Sequence, residues 1–248
     1  MQISPTVKQL LIINILFFLG TQMVGEQAYN YLSLFFFENA KFQYWQPLTH
    51  MFMHGGFMHI AFNMFALYSF GSALEHFWGG KKFLFFYISC GLGAALLHTG
   101  VNYFMFHHGL NALIEAGFNP TKIYALLNDG RMDTTWIDTL GNSGLSNFTG
   151  AFASPAVGAS GAIYGLLVAF AFMVPNAELA LMFIPIPIKA KYFVPGLLCI
   201  DLFLGLKGES IFGGASGIAH FAHIGGALVG FLMMWYWKKN QFGKNRWN

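Results

Sequence analysis

Gly158-Ala-Ser160-Gly161-Ala-Ile-Tyr164-Gly165 opens one apolar segment of the chain, and Ala222-His223-Ile-Gly-Gly226-Ala-Leu-Val-Gly230 opens another. Each sets a polar, reactive side chain beside small residues, in a stretch long enough to be a membrane helix. Gly161-x-x-x-Gly165 and Gly226-x-x-x-Gly230 are seams of the kind that let membrane helices approach closely. Packing alone accounts for such seams. Close approach is also what a hydrogen bond between a serine on one helix and a histidine on another requires. A serine hydroxyl is a weak nucleophile until a base within hydrogen-bond reach takes its proton. Polar and ionisable groups in lipid are expensive, so their presence there points to a purpose.

Of the 248 residues, 56% are hydrophobic and only 9% charged, against roughly 25% charged in a soluble domain. Phenylalanine alone takes 29 positions. A soluble fold of this size cannot cover so much apolar surface, and the class is an all-α polytopic membrane protein. The net charge of +3 is too small to indicate a nucleic-acid partner. Cys90 and Cys199 both fall in apolar stretches and read as small buried residues, silent on disulfides.

About 20 largely apolar residues span a bilayer. Six segments qualify or nearly do, at about 6–24, 57–77, 82–106, 159–174, 192–207 and 218–237. Lys8 and the apolar run after it have the look of a signal peptide. Leu19-Gly-Thr-Gln-Met-Val24 offers no small-residue cleavage pattern, so an uncleaved first span is expected. The fourth segment is short. From Ser160 to Val174 a helix rises about 22 Å, so its Ser160 end is expected to stop below the membrane surface. With six spans, nine Lys and Arg fall on one side and four on the other. The positive-inside rule then puts both termini in the cytoplasm. The fourth and sixth spans consequently start on the extracytoplasmic side, with Ser160 and His223 at similar depth.

Residues 25–56 carry Tyr29, Tyr31, Phe35, Phe36, Phe37, Phe42, Tyr44 and Trp45 with few charges, which suits an interfacial first loop. Residues 107–157 are polar, with turn signals at Asn119-Pro120 and Asn128-Asp-Gly130. This insertion is expected outside the membrane on the extracytoplasmic side, with one short helix near Ala112–Ala116 or Tyr124–Asn128.

Ser160 and Tyr164 are four apart and share a helical face. The soluble-hydrolase elbow G-x-S-x-G is ruled out, because position 162 is Ala and no alternating strand precedes it. His54, His59 and Asn63 form H-x4-H-x3-N at the mouth of the second span. Three uses are open: hydrogen bonds to neighbouring helices, metal ligation, or donors to a developing oxyanion. Metal is disfavoured by the lack of H-E-x-x-H and of a Cys ligand, and by span-facing carboxylates too few for a zinc protease or a carboxylate-rich channel. Asp201 stands alone near the middle of the fifth span, where a charged Asp costs roughly 2.5–3.5 kcal/mol. It is a possible third member of a triad. It lies about ten residues into its span and His223 about five into the sixth, so it reads as structural.

Taken together, G-x-S-G-x-x-x-G at Gly158–Gly165, A-H-x-x-G-x-x-x-G at Ala222–Gly230 and H-x4-H-x3-N at His54–Asn63 resemble the rhomboid family of intramembrane serine proteases. The resemblance covers roughly residues 6–240, and outside these motifs it is mostly one of topology. It implies a six-transmembrane-helix rhomboid-like bundle, a single membrane domain over residues 1–248 with an interfacial first loop and a long third loop. In it Ser160 would be the nucleophile and His223 the general base of a dyad. His59 and Asn63, with the Ser160 backbone N–H, would form the oxyanion hole. Tyr164 would pack on the His223 ring, with Gly158, Gly161 and His54 in support.

The same resemblance implies cleavage of transmembrane protein substrates near the extracytoplasmic face, with no cofactor and no metal. Membrane lipid is the other implied partner, a bacterial inner membrane the implied address, and the oligomeric state stays open. The first loop and the outer end of the fifth span would frame the substrate's route from lipid. Two features depart from the family pattern. Trp45-Gln46 stands where Trp-Arg is common, which bears on the first loop and its lipid contacts rather than on the dyad. The third loop is also much longer than in compact bacterial members. Two rival functions remain at this point: a catalytically silent relative that binds transmembrane helices, and a channel or transporter using the histidines.

Overall fold

The computed structural model describes residues 2–181, 184–207 and 219–241. Its first helix, α1 (Pro5–Val24), starts on a proline, whose missing N–H suits a first helical turn. The next free N–H groups find an acceptor across the molecule. Thr6 N and Val7 N donate to the Glu75 carboxylate at 2.9 and 2.8 Å, and the Ser4 hydroxyl donates to it as well. The first loop holds α2 (Glu26–Leu32), α3 (Gln46–Thr49) and a 3-10 turn (His50–Phe52). Then α4 (Phe57–Ala66) runs through a π-helical turn (Leu67–Gly71) into α5 (Ser72–Trp78). Gly79, at φ 76°, reverses the chain into α6 (Gly80–Glu115).

At 36 residues α6 is about 54 Å long, well beyond a hydrocarbon core of about 30 Å. Its last turns therefore stand clear of any span and carry the insertion. That insertion is more helical than its composition suggests: α6 continues to Glu115, followed by α7 (Pro120–Asn128) and α8 (Trp136–Ala153). The Asn119 side chain caps α7 by accepting from Thr121 N and Lys122 N. In α8, Phe148, Ala151 and Phe152 recur at helical spacing and are buried, while the Asn, Gly and Ser residues around them mostly face outward. Three apolar residues at the right spacing are enough for a helix to dock. Phe106 stacks on Phe148 at 5.0 Å, and Phe36, Ile123, Trp136 and Phe152 complete a second apolar core.

The chain continues through α9 (Ser160–Met173), an antiparallel hairpin of β1 (Glu178–Leu181) and β2 (Ile184–Lys189), α10 (Ala190–Lys207) and α11 (Ala219–Gln241). The hairpin, with Glu178 opposite Lys189 and Leu179 opposite Ile188, was not foreseen. Helices α6, α9 and α11 form the centre. A Cβ on Gly226 would overlap the carbonyl oxygen of Gly161, and one on Gly230 would lie 2.8 Å from Gly165 Cα. A Cβ on Gly165 would collide with Cys90 of α6. The two glycine seams thus face each other.

Large apolar side chains such as Leu16, Phe85, Leu96, Phe203 and Leu206 point outward, the inverse of a soluble surface. Among the described residues, three helical stretches are long and apolar enough to cross a membrane: Pro5–Val24, Phe57–Trp78 and Gly80–Glu115; Ser160–Met173 is apolar and shorter. Cys90 is buried as expected. Cys199 is not: it lies on an outward face of α10, since an apolar stretch in lipid need not be buried in protein.

Candidate active site

Ser160 is the first residue of α9, so its backbone N–H is among those that a helix leaves without an internal acceptor. Its hydroxyl lies 2.9 Å from His223 Nε2. One turn along α9, Tyr164 stacks on the His223 ring, with centroids 4.2 Å apart and planes 9° from parallel. The close seam between α9 and α11 makes both contacts possible, because a Cβ on Gly226 would push the helices apart.

The approach to Ser160 is held by backbone. Gly158 N donates to His50 O at 2.9 Å, and Leu34 and Ala156 exchange N–H···O bonds of 2.9 and 2.8 Å, tying the first loop to the segment before the serine. Gly158 sits at φ 124°, a conformation that favours glycine, and a Cβ there would lie 2.8 Å from His59 Nε2. The His59 ring thus occupies the space that glycine leaves. Gly55 N donates to His59 Nδ1 at 3.3 Å, so Nδ1 is an acceptor and the proton belongs on Nε2, facing the serine's end of α9. Asn63, one helical turn further on α4, is buried with its Nδ2 unpartnered among the described residues. Two side-chain donors are therefore available beside a free helix N-terminus, the arrangement that stabilises a developing negative charge.

His54 packs edge-on against His59 with centroids 5.1 Å apart, fully buried, and its carbonyl accepts from the Tyr29 hydroxyl. Gln46 is buried in the first loop, where its Oε1 accepts from Phe35 N at 3.2 Å and its Nε2 donates to Lys41 O at 3.0 Å. It braces the loop with neutral hydrogen bonds where a charge would need a partner.

One link lies outside the three sequence motifs. Asp201 Oδ1 accepts from His223 Nδ1 at 3.2 Å and from His220 Nδ1 at 2.5 Å. Asp201 is thus joined to the histidine, contrary to the depth expectation. α10 and α11 run in opposite directions, so depth must be counted from their shared end. On that count Asp201 lies six residues from Lys207, and His223 four from Ala219. The available signal was His220-x-x-His223, two histidines on one helical face beside a lone span carboxylate.

These contacts define a helical bundle with a serine at a helix N-terminus, a histidine on its hydroxyl and a carboxylate behind that histidine. A Rhomboid domain model matches residues 41–240, and the chain belongs to the Rhomboid family. It is an integral membrane protein of that family. Among its relatives, Rhomboid protein 1, mitochondrial, of Saccharomyces cerevisiae is 26% identical over 188 residues, 76% of this chain and 40% of the relative. Rhomboid protease AarA of Providencia stuartii is 28% identical over 200 residues, 77% of this chain and 54% of the relative. Rhomboid protease GluP of Bacillus subtilis is 37% identical over 57 residues, 23% of this chain and 11% of the relative. The chain spans about half, or less, of the length of these relatives.

Proposed function

We propose that this protein is an intramembrane serine endopeptidase that cleaves transmembrane helices. The observation carrying this reading is the 2.9 Å contact between Ser160 Oγ and His223 Nε2, with Tyr164 stacked on the imidazole. Two of the relatives bear the name rhomboid protease. Ser160 Oγ attacks the scissile carbonyl carbon as its proton passes to His223 Nε2. The carbonyl oxygen becomes an oxyanion facing Ser160 N–H, His59 Nε2–H and Asn63 Nδ2. His223 then returns the proton to the leaving amine, and water hydrolyses the acyl-enzyme by the same route. Asp201 is a positioning residue, holding the proton of His223 on Nδ1 so that Nε2 is the free base. Gly158, Gly161 and Tyr164 keep the geometry, and His54 backs the His59 ring.

The reading includes six spans with both termini in the cytoplasm, this site and the 107–157 insertion toward the extracytoplasmic face, and a bacterial inner membrane as the address. The excess of Lys and Arg on one side of the expected spans supports the orientation. The test is cleavage of a model transmembrane substrate by purified protein in liposomes, with labelling by a fluorophosphonate. Wild type should cleave and be labelled, and Ser160→Ala should do neither. Cleavage that survives in Ser160→Ala, or never occurs in wild type, overturns the reading.

A further inference from the structure

Asp201, His220 and His223 present an arrangement that proton transfer from Ser160 does not need. Two ring nitrogens, His220 Nδ1 and His223 Nδ1, converge on one carboxylate oxygen. The three ligating atoms lie within 4.8 Å of one another. Asp201 is 2% exposed, its second oxygen, Oδ2, makes no close hydrogen bond among the described residues, and the Tyr164 side chain lies beside the carboxylate. A carboxylate in an apolar bundle with two imidazoles in front of it is a donor set suited to a divalent transition metal. Zinc takes such His and Asp ligands at about 2.0–2.2 Å with a fourth position open to water. Tetrahedral geometry at those bond lengths puts the ligand atoms about 3.3 Å apart. The Asp201–His223 pair is already at 3.2 Å, the Asp201–His220 pair at 2.5 Å has to open by less than about an ångström, and the two imidazole nitrogens, within 4.8 Å, have to close by at most about 1.5 Å. His223 is the partly exposed member, which leaves a way in for an ion.

We propose that Asp201, His220 and His223 form an inhibitory zinc site. Binding requires a lone pair on Nδ1 of each histidine, so the ring proton of His223 moves to Nε2. A protonated Nε2 cannot take the proton of Ser160, and the metal thereby removes the base by fixing the wrong tautomer. The inhibition rests on the protease reading; the binding does not.

Full-length protein, purified without a histidine tag and stripped of metal, is titrated with zinc by equilibrium dialysis and with cobalt by visible absorption. Wild type and Ser160→Ala should each bind one ion with a tetrahedral cobalt spectrum. His220→Gln and Asp201→Asn should each weaken binding at least about tenfold. In the cleavage assay zinc should inhibit wild type at the midpoint seen in binding, and a chelator should restore the rate. For His220→Gln the inhibition midpoint, taken relative to that variant's own metal-free rate, should rise by the same factor. The proposal fails if wild type retains no zinc at micromolar free metal, if both variants bind as wild type does, or if bound zinc leaves cleavage unchanged. Binding that depends on His220 in a protein that never cleaves would sink the protease reading and establish the metal site.

Discussion

Asn63 carries a buried amide whose Nδ2 has no acceptor among the described residues. A buried donor left unmatched costs about 1–3 kcal/mol, and an oxyanion that forms only during the reaction returns that cost. Asn63→Ala is therefore expected to lower kcat by about 10²–10³ with KM little changed, read from steady-state cleavage rates. Asp201→Asn replaces the carboxylate behind His223 with a neutral amide whose N–H can donate to Nδ1 and favour the wrong tautomer. Its expected loss in metal-free protein lies between about 10-fold and the 10⁴-fold seen for Asp→Asn in a soluble triad. The stack of Tyr164 keeps it below that bound, and an unchanged kcat would show that Asp201 does not orient the base. Two other histidines bear on pH. Burial pulls His50 and His54 down from 6.5 to about 4, aided at His54 by nearby His59 and opposed at His50 by the Gln46 carbonyl. Both stay neutral in the fold and take up a proton on unfolding. Stability is then complete above pH 6.5 and falls as the pH drops toward 4, by up to about 1.4 kcal/mol per unit for each histidine. His54→Phe should flatten that slope by one proton, measured as melting temperature against pH.

The decisive contact between elements is the α9–α11 seam. Gly161 and Gly226 meet backbone to backbone, so no side-chain rotation can relieve an added methyl. Gly226→Ala is expected to cost about 1–3 kcal/mol and to lower the melting temperature in detergent, with cleavage lost as Ser160 and His223 part. Gly100→Ala on α6 is the control, because a Cβ there meets nothing within 4 Å. It should leave the melting temperature unchanged or raise it. The seam could be read in the sequence as paired small-xxx-small motifs. The contact of α10 with α11 could not: six alternating spans already make these two antiparallel, but only their packing shows that Asp201, counted from the end they share, reaches His223.

Across the whole molecule, two cores share the helix α6. One holds the α6–α9–α11 centre, and the other ties the insertion to the first loop through Phe36, Phe106 and Phe148. The Leu34–Ala156 bridge connects that second core to the backbone two residues before Gly158. Phe148→Ala should cost the second core about 3–5 kcal/mol. Limited proteolysis should then cut within residues 116–135 faster than in wild type. Cleavage of substrate should also slow, although Phe148 lies outside the Ser160–His223 contact. Intact resistance to proteolysis in that variant would mean that the insertion folds independently of this core.

The membrane class was legible in the composition, and the small-xxx-small seams and the shared faces of Ser160 with Tyr164 and of His59 with Asn63 in spacing within single helices, where periodicity decides which side chains share a face. The roles of Ser160, His223, His59 and Asn63 came from the resemblance of three motifs taken together. The insertion misled because its abundant Asn, Gly, Ser and Thr masked the few apolar residues that dock α8. Asp201 misled because its partnership with His220 and His223 crosses between helices. Which helices lie side by side, and from which end their depths must be compared, is a matter of packing. Only the tertiary structure brought one carboxylate against two histidines, and that contact turns a serine–histidine pair into a connected chain of three residues.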